Sequence, residues 1–336
     1  MFFESHSKDN NNQLILKYSD LFCGIGGFRV ALDIVCSTSK RWDKKIKPIC
    51  VFSSDIDPDA QKNYELNFGE KPFGDITKIE AQSIPNHNLL FAGFPCQPFS
   101  ICGKLQGFED TRGTVFFDIA RILKEKKPYA FILENVKQLK GHQQGKTLKI
   151  ILDILEDLGY YCDYKVLNAL DFALPHKRER IFIVGFRDPL QFTWKNSIIP
   201  MKSLEKILEN NVAQSYYASQ QIRANRLEKY QGKTYQEPTI WHENKGGHIS
   251  AYPYSCAMRA GASYNYLLVN GERRLTEREM LRLQGFPESF KLVGSYSTAR
   301  KLIGNSLAIP CVISILNSLF DAIINKQLKS NDKNLQ

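Results

Sequence analysis

The residues best suited to chemistry lie in the stretch Gly93-Phe94-Pro95-Cys96-Gln97-Pro98-Phe99-Ser100. A cysteine thiolate is a strong nucleophile and forms covalent intermediates. Cys96 stands between two prolines, each of which fixes its own φ and biases the preceding residue towards extended backbone. The stretch follows the apolar run Leu89 to Ala92, which reads as a buried strand ending at Gly93. In open α/β sheets, strand ends are where ligands and chemistry sit. A thiol held stiffly there is a candidate nucleophile. A buried structural cysteine in a proline turn is the competing reading for a lone cysteine.

Other candidates sit at comparable places. Leu14 to Phe22 reads as a first strand and runs into Asp20-Leu21-Phe22-Cys23-Gly24-Ile25-Gly26-Gly27-Phe28, followed by a helical apolar pattern at Val30, Ala31, Ile34 and Val35. Strand, glycine turn and helix suit a nucleotide-type cofactor, because glycines let the backbone approach a ligand. Ile49 to Ser54 reads as a second strand ending at Asp55-Ile56-Asp57. A carboxylate there accepts both hydrogen bonds of a ribose diol. Asp75 follows in Gly74-Asp75-Ile76, and the three features together point to an adenosine-containing cofactor. Glu134 closes the run Tyr129 to Leu133. Neighbouring parallel strands bring their carboxyl ends over one crevice, so Cys96 and Glu134 are expected to share a site.

The elements that position these residues alternate strand and helix. Helices are expected from Pro58 to Phe68, from Val115 to Glu125 and over 146–158, with strands around 162–169 and 181–186 framing Lys177-Arg178-Glu179-Arg180. That alternation predicts an α/β fold with a doubly wound parallel sheet. Residues 100–113 lack apolar periodicity and read as a mobile loop that closes over a substrate. Residues 1–13 read as disordered. From Asp188 to about 270 the alternation stops, and Asn, Gln, Tyr, Gly and basic residues dominate. A second, smaller domain is placed at 188–270, the first comprising 1–187 and 271–336. Thr276 and Glu279 form a capping box for a helix to Leu283. Gly304-Asn305-Ser306 opens a last helix, and residues 325–336 read as a polar tail.

The chain carries a formal net charge of +10. Its basic residues are spread along the chain, at 121–127, 177–180, 187, 223–233 and 273–282, which suits a folded basic groove for a polyanion better than a disordered arm. Eight cysteines form no CxxC pair and no zinc-type spacing, so no metal is expected. A polar N-terminus and no apolar run of roughly 18 residues argue against export or a membrane partner. Reduced thiols and a cytoplasmic location follow.

Together these motifs resemble the DNA (cytosine-5) methyltransferases of bacterial restriction–modification systems. The matching stretches are DLFCGIGGF at 20–28, GDI at 74–76, GFPCQPFS at 93–100, ENV at 134–136, PHKRERIFIVGF at 175–186, RLTERE with GFP at 274–287, and IGNS at 303–306. They fall in the family's order and leave 188–270 unmatched, where the family places its target recognition domain. The resemblance implies a Rossmann-like sheet dependent on S-adenosylmethionine, with that smaller domain beside it. It implies that Cys96 adds to carbon 6 of a cytosine in double-stranded DNA and that Glu134 binds ring nitrogen 3 and the exocyclic amine. Arg180 is implied for the base carbonyl and for steadying Glu134, and Arg178 completes the pair, with a surface or phosphate contact as its alternative. For the cofactor it implies Phe22 against adenine, Gly24, Ile25 and Gly27 near the methionine part, and Asp55 on the ribose. Ile56 stands where an aromatic is frequent, Asp75 and Ile76 flank adenine, Pro95 lines the pocket, and Asn305 lies near the amino-acid end. Base flipping needs a gap-filling loop, which implies DNA contacts for Gln97, Ser100 and Cys102. A monomer is expected.

Two other readings are a transfer-RNA cytosine methyltransferase and a catalytically silent DNA-binding regulator. The eukaryotic-type Cys-Phe-Thr insertion of the former is not found between 188 and 270, and intact Cys96, Glu134 and Arg180 argue against the latter. The charge gives a direct test. DNA binding should weaken steeply with salt, with a slope of about −0.9 in log K against log salt for each neutralised phosphate. A binding constant indifferent to salt would rule out a basic DNA groove.

Overall fold

The computed structural model describes residues 2–5, 13–38, 45–95, 115–195, 198–230 and 238–333. The main sheet is built from β1 (Glu4–Ser5), β2 (Gln13–Leu21), β3 (Lys45–Ser54), β4 (Leu89–Gly93), β5 (Ala130–Val136) and β6 (Tyr161–Asn168). After the two-residue β7 (His176–Lys177), β8 (Glu179–Phe186) completes it. The long strands lie in the order β3-β2-β4-β5-β8-β6, with β1 antiparallel beside the start of β2. Helices α1 (Gly27–Thr38), α2 (Pro58–Phe68), α3 (Val115–Lys126) and α4 (Lys146–Asp157) alternate with the strands. The doubly wound α/β fold expected from the sequence is borne out.

The apolar strands explain the two layers. Leu89 to Ala92 and Ala130 to Leu133 are fully buried, as continuous apolar runs in a sheet covered on both faces should be. Successive side chains point to opposite faces. Leu89, Phe91, Ala130 and Ile132 pack in the core shared with α1, whereas Leu90, Ala92, Phe131 and Leu133 pack in the core shared with α3 and α4.

Besides the short β1, one long strand departs from the expected parallel sheet. β8 runs antiparallel to both β5 and β6. A parallel neighbour needs a crossover of a dozen or more residues, usually a helix. Only residues 169–178 connect β6 to β8, so the chain doubles back. In consequence the beginning of β8 lies beside the end of β5, with Arg180 paired to Val136 and Phe182 to Glu134.

Beyond β8 come α5 (Gln220–Lys229), β9 (Ile240–Glu243), β10 (Ile249–Tyr252), β11 (Ser255–Cys256) and β12 (Leu267–Val269). Strands β10, β9 and β12 form a small antiparallel sheet, and β11 pairs with β7. Its buried Ile240, Leu267 and Val269 join the same core as α1. The chain then enters α6 (Glu277–Gln284), α7 (Tyr296–Asn305) and α8 (Ile309–Lys333). The expected capping box is present at the start of α6, and its Glu279 also takes a bidentate ion pair from Arg273 at 2.8 and 2.9 Å.

Both chain ends differ from expectation. Phe2 and Phe3, within the stretch read as disordered, are 1% and 2% exposed, and both rings meet Phe320 edge-on. Two adjacent aromatics outweigh the polar residues that follow them. The backbone of α8 runs on to Lys333 through the stretch read as a polar tail. Residues 325–333 contain no glycine or proline, and Lys, Gln and Leu favour helix. The stretch Tyr296–Lys326 also contains an 18-residue window apolar enough to cross a membrane, contrary to the sequence reading, but 67% of that window is buried inside the fold. Here it is a core element.

Asp20, near the end of β2, is fully buried, and neither carboxylate oxygen has a hydrogen-bond partner among the described residues. Burial pushes its pKa up to about 8, so it is mostly neutral at pH 7. The stability consequence follows from linkage. Below the ordinary carboxylate pKa both folded and unfolded states hold the proton. As pH rises towards 8, only the folded state keeps it, and stability declines by up to about 1.4 kcal/mol per pH unit. Asp20→Asn should therefore gain stability relative to the parent between pH 5 and pH 8 in urea melts. A gap that stays constant would show that Asp20 is ionised in the fold.

Candidate active site

The carboxyl ends of β2, β3, β4 and β5 and the end of α7 surround one cleft of about 650 Å³. At one end lies the glycine turn. Phe22, just after β2, has φ of +54°, a left-handed conformation uncommon for a residue with a side chain. Gly26 has φ of +85°, and a Cβ there would stand 2.3 Å from the Phe68 ring, so only glycine fits. Gly24 N donates to Asp55 Oδ2 at 2.7 Å, and Asp57 N donates to Asp55 Oδ1 at 2.8 Å. Asp55 is thus fixed by backbone, with a further lone pair on each oxygen. Burial pushes its pKa up, and the hydrogen bonds from Asp57 and Gly24 oppose this.

At the other end stands Glu134, 9% exposed, with Arg180 Nε 2.9 Å from its Oε1. Desolvation pushes the Glu134 pKa above the ordinary range, and the guanidiniums of Arg180 and Arg178 oppose it. A carboxyl so placed holds a proton more readily than one in water. Gly93 pairs directly with Glu134 across β4 and β5, so the chain leaving β4 through Pro95 departs beside this carboxyl.

Most expected cofactor residues line this cleft: Phe22, Gly24, Ile25, Gly27, Asp55, Ile56, Pro95 and Asn305. So do Glu134 and Arg180. Asp75 and Ile76 are not among the lining residues. Asp75 caps the turn Ile76–Lys78, its carboxylate accepting from Thr77 N and Oγ1, and Ile76 is buried. Arg178 is not on the surface, as its alternative reading required. It is 1% exposed and donates to Ser306 O beneath the cleft. Cys96, Gln97, Ser100 and Cys102, with the loop 100–113, lie outside the described residues. Among the described residues, no group of three or more His, Cys, Asp or Glu is placed to hold a metal ion.

Several contributors were not assigned from sequence. Asn135 Nδ2 donates to Phe94 O at 2.9 Å and ties the exit of β4 to β5. Gln284 Nε2 donates to Ile303 O at 2.9 Å and shares Ser306 O with Arg178, so the two hold the turn that carries Asn305. Lys301 Nζ lies 2.6 Å from Asp57 Oδ2, and both residues line the cleft. Asn135 and Gln284 fall within or between the quoted motifs. Lys301 and Asp57 carried no signal beyond their charges.

A cofactor cleft of this kind at the strand ends of a doubly wound sheet defines a Rossmann-like methyltransferase fold. The chain belongs to the C-5 cytosine-specific DNA methylase family, which it matches over residues 16–321. It is 52% identical to the Type II methyltransferase M.NgoBI of Neisseria gonorrhoeae over 93% of this chain and 96% of that protein. It is 51% identical to the Type II methyltransferase M.HaeII of Haemophilus aegyptius over 91% and 93%. Among solved structures, the Entamoeba histolytica methyltransferase EhMeth superposes with a TM-score of 0.67 at 20% identity, covering 92% of this chain and 98% of that one. S. pombe Dnmt2 gives 0.66 at 22% identity, covering 90% and 98%. These two show the shared fold. The chain is a DNA (cytosine-5-)-methyltransferase, which bears out the resemblance; the RNA-directed and silent readings are not favoured.

The Glu134–Arg180 contact makes a testable statement. Arg180→Met removes a cation that favours the charged carboxylate, so the Glu134 pKa should rise further. Infrared difference spectra against Glu134→Gln would show the protonated carboxyl band persisting to higher pH in Arg180→Met than in the parent. A band lost at lower pH would mean that Arg180 does not act on Glu134.

Proposed function

We propose that this enzyme transfers the methyl group of S-adenosylmethionine to carbon 5 of a cytosine flipped out of a specific duplex sequence. It acts as a cytoplasmic monomer and protects host DNA in a restriction–modification system. The observation that carries this reading is the continuity of one cleft from Asp55 and the glycine turn to Glu134 and Arg180. The residues suit the cofactor. Asp55 keeps lone pairs for a ribose diol, Phe22 and Pro95 offer apolar walls, and the start of α1 at Gly27 favours a carboxylate. When bound, S-adenosylmethionine supplies an electrophilic methyl group.

The protein's part is to make carbon 5 nucleophilic. The Cys96 thiolate adds to carbon 6, and the ring electrons pass towards nitrogen 3 and carbon 5. Glu134 gives nitrogen 3 its proton as electron density builds there and accepts from the exocyclic amine. Its pKa is raised by burial against the pull of Arg180 and Arg178, which favours the protonated form that this donation requires. Such an interaction is stronger in the transition state than in the ground state. Arg180 holds Glu134 in place and donates to the base carbonyl. After methylation carbon 5 gives its proton to water, the carbon–sulfur bond breaks and restores the thiolate, and nitrogen 3 returns its proton to Glu134. Arg178 works from beneath, on the turn that carries Asn305. Gln97, Ser100 and Cys102 contact the DNA, and residues 188–270 form the target recognition domain.

Bisulfite sequencing of DNA from cells expressing this chain should reveal one methylated sequence. Cys96→Ala should abolish single-turnover methylation of that duplex while cofactor and DNA still bind. Glu134→Gln should slow it by about 10²–10⁴-fold, the usual contribution of a positioned acid. The two losses should be strongly non-additive, because both residues act on one base. Near-parental turnover in Cys96→Ala would sink the covalent mechanism.

A further inference from the structure

Helix α7 touches both the cofactor cleft and the segment assigned to DNA reading, through adjacent side chains. Arg300 is only 6% exposed. Among the described residues no carboxylate pairs with it. Its guanidinium instead donates to the carbonyls of Ser263 at 2.8 Å, Ala262 at 2.5 Å and Ala260 at 3.4 Å, and lies 4.6 Å from the centre of the Tyr264 ring. A buried charge is costly unless hydrogen-bonded. This one is compensated by the loop 260–264, so loop and side chain fix each other. The last turn of α7 rests on the same loop. A Cβ at Gly304 would stand 3.5 Å from Ala260 N and 3.6 Å from Met258 O. The next side chain reaches the other way, since Lys301 pairs with Asp57 at 2.6 Å across the cleft mouth. Leu302, Gly304 and Asn305 complete the cleft wall. On the outer side of the loop Arg259 is exposed, lying over the Tyr266 ring, and Tyr264 is 47% exposed with its ring edge against Tyr296.

We infer that Arg300 is a positioning residue that links DNA engagement by the loop 259–264 to cofactor retention, with α7 as the rigid connection. DNA on Arg259 and Tyr264 fixes the loop. The loop holds Arg300 and the end of α7, which sets Lys301 against Asp57 and Asn305 in the cleft. The inference rests on the proposed DNA-reading role of residues 188–270. Coupling of this kind is reciprocal, so the factor by which DNA tightens the cofactor equals the factor by which the cofactor tightens DNA.

The test is calorimetric titration of S-adenosylhomocysteine into the full chain, with and without a short duplex carrying the sequence mapped by bisulfite. In the parent the duplex should tighten binding at least about fivefold, the lower end of usual coupling. In Arg300→Met that ratio should fall to near one. Arg300→Lys should recover part of it. A merely structural role would weaken binding in both conditions and leave the ratio unchanged. Should Arg300→Met fail to fold, Tyr264→Leu, at a half-exposed position, decides the matter by a reduced ratio. An unchanged ratio in a folded variant, or no coupling in the parent, overturns the inference. Failure of the parent to retard any duplex in a gel would instead overturn the DNA-reading assignment on which it rests.

Discussion

Glu134 and Arg180 meet where water is largely excluded, and the geometry of the sheet is what allows it. A buried ion pair gives little net stability, because desolvation offsets attraction. The framework must therefore hold the two groups together. It does so by reversing one strand. With β8 antiparallel, the arginine at its start falls beside the glutamate near the end of β5. In an all-parallel sheet the same arginine would lie at the opposite edge, a strand length away. Gly93 pairs with Glu134 on the other flank, and Asn135 pins the chain that leaves β4.

The cofactor end is organised on a different principle. There the backbone supplies most of the polar contacts, and side chains are fixed by it. Asp55 is held by two main-chain amides, and Ser306 O is held from below by Arg178 and Gln284. Strain is concentrated at Phe22, whose positive φ turns the chain out of β2 into the glycine turn. Such conformations persist where the surroundings over-determine them, commonly at ligand sites. In the proposed reaction the main-chain end positions the cofactor and the buried-pair end acts on the base.

Much of this was legible in the sequence because local rules sufficed. Continuous apolar runs gave β4 and β5, glycine spacing gave the turn after β2, and the Thr276–Glu279 pair gave the start of α6. What was not legible depended on distant partners. Nothing local marks β8 as reversed; the reversal follows from the short connection and from the place left between β5 and β6. Phe2 and Phe3 are buried because Phe320 awaits them, some three hundred residues away. Asp75 follows the family motif, and its Oδ1 also caps its own turn. Arg178 and Arg180, two residues apart, have separate surroundings that no spacing rule distinguishes.

The meeting of the two chain ends bears on how the protein is made. Synthesis proceeds from the N-terminus at about 5–20 residues per second. Phe2 and Phe3 therefore wait tens of seconds on the nascent chain before the ring they dock against leaves the ribosome. Asn305 and Lys301, which line the cleft, likewise follow the glycine turn by more than 250 residues. An unfinished chain can form the early strands but has neither a sealed core nor a complete cleft wall. Helix α8 thus acts as a checkpoint, and a chain cut before it is left with Phe2, Phe3 and the apolar side of α1 uncovered, a ready target for chaperones and proteases.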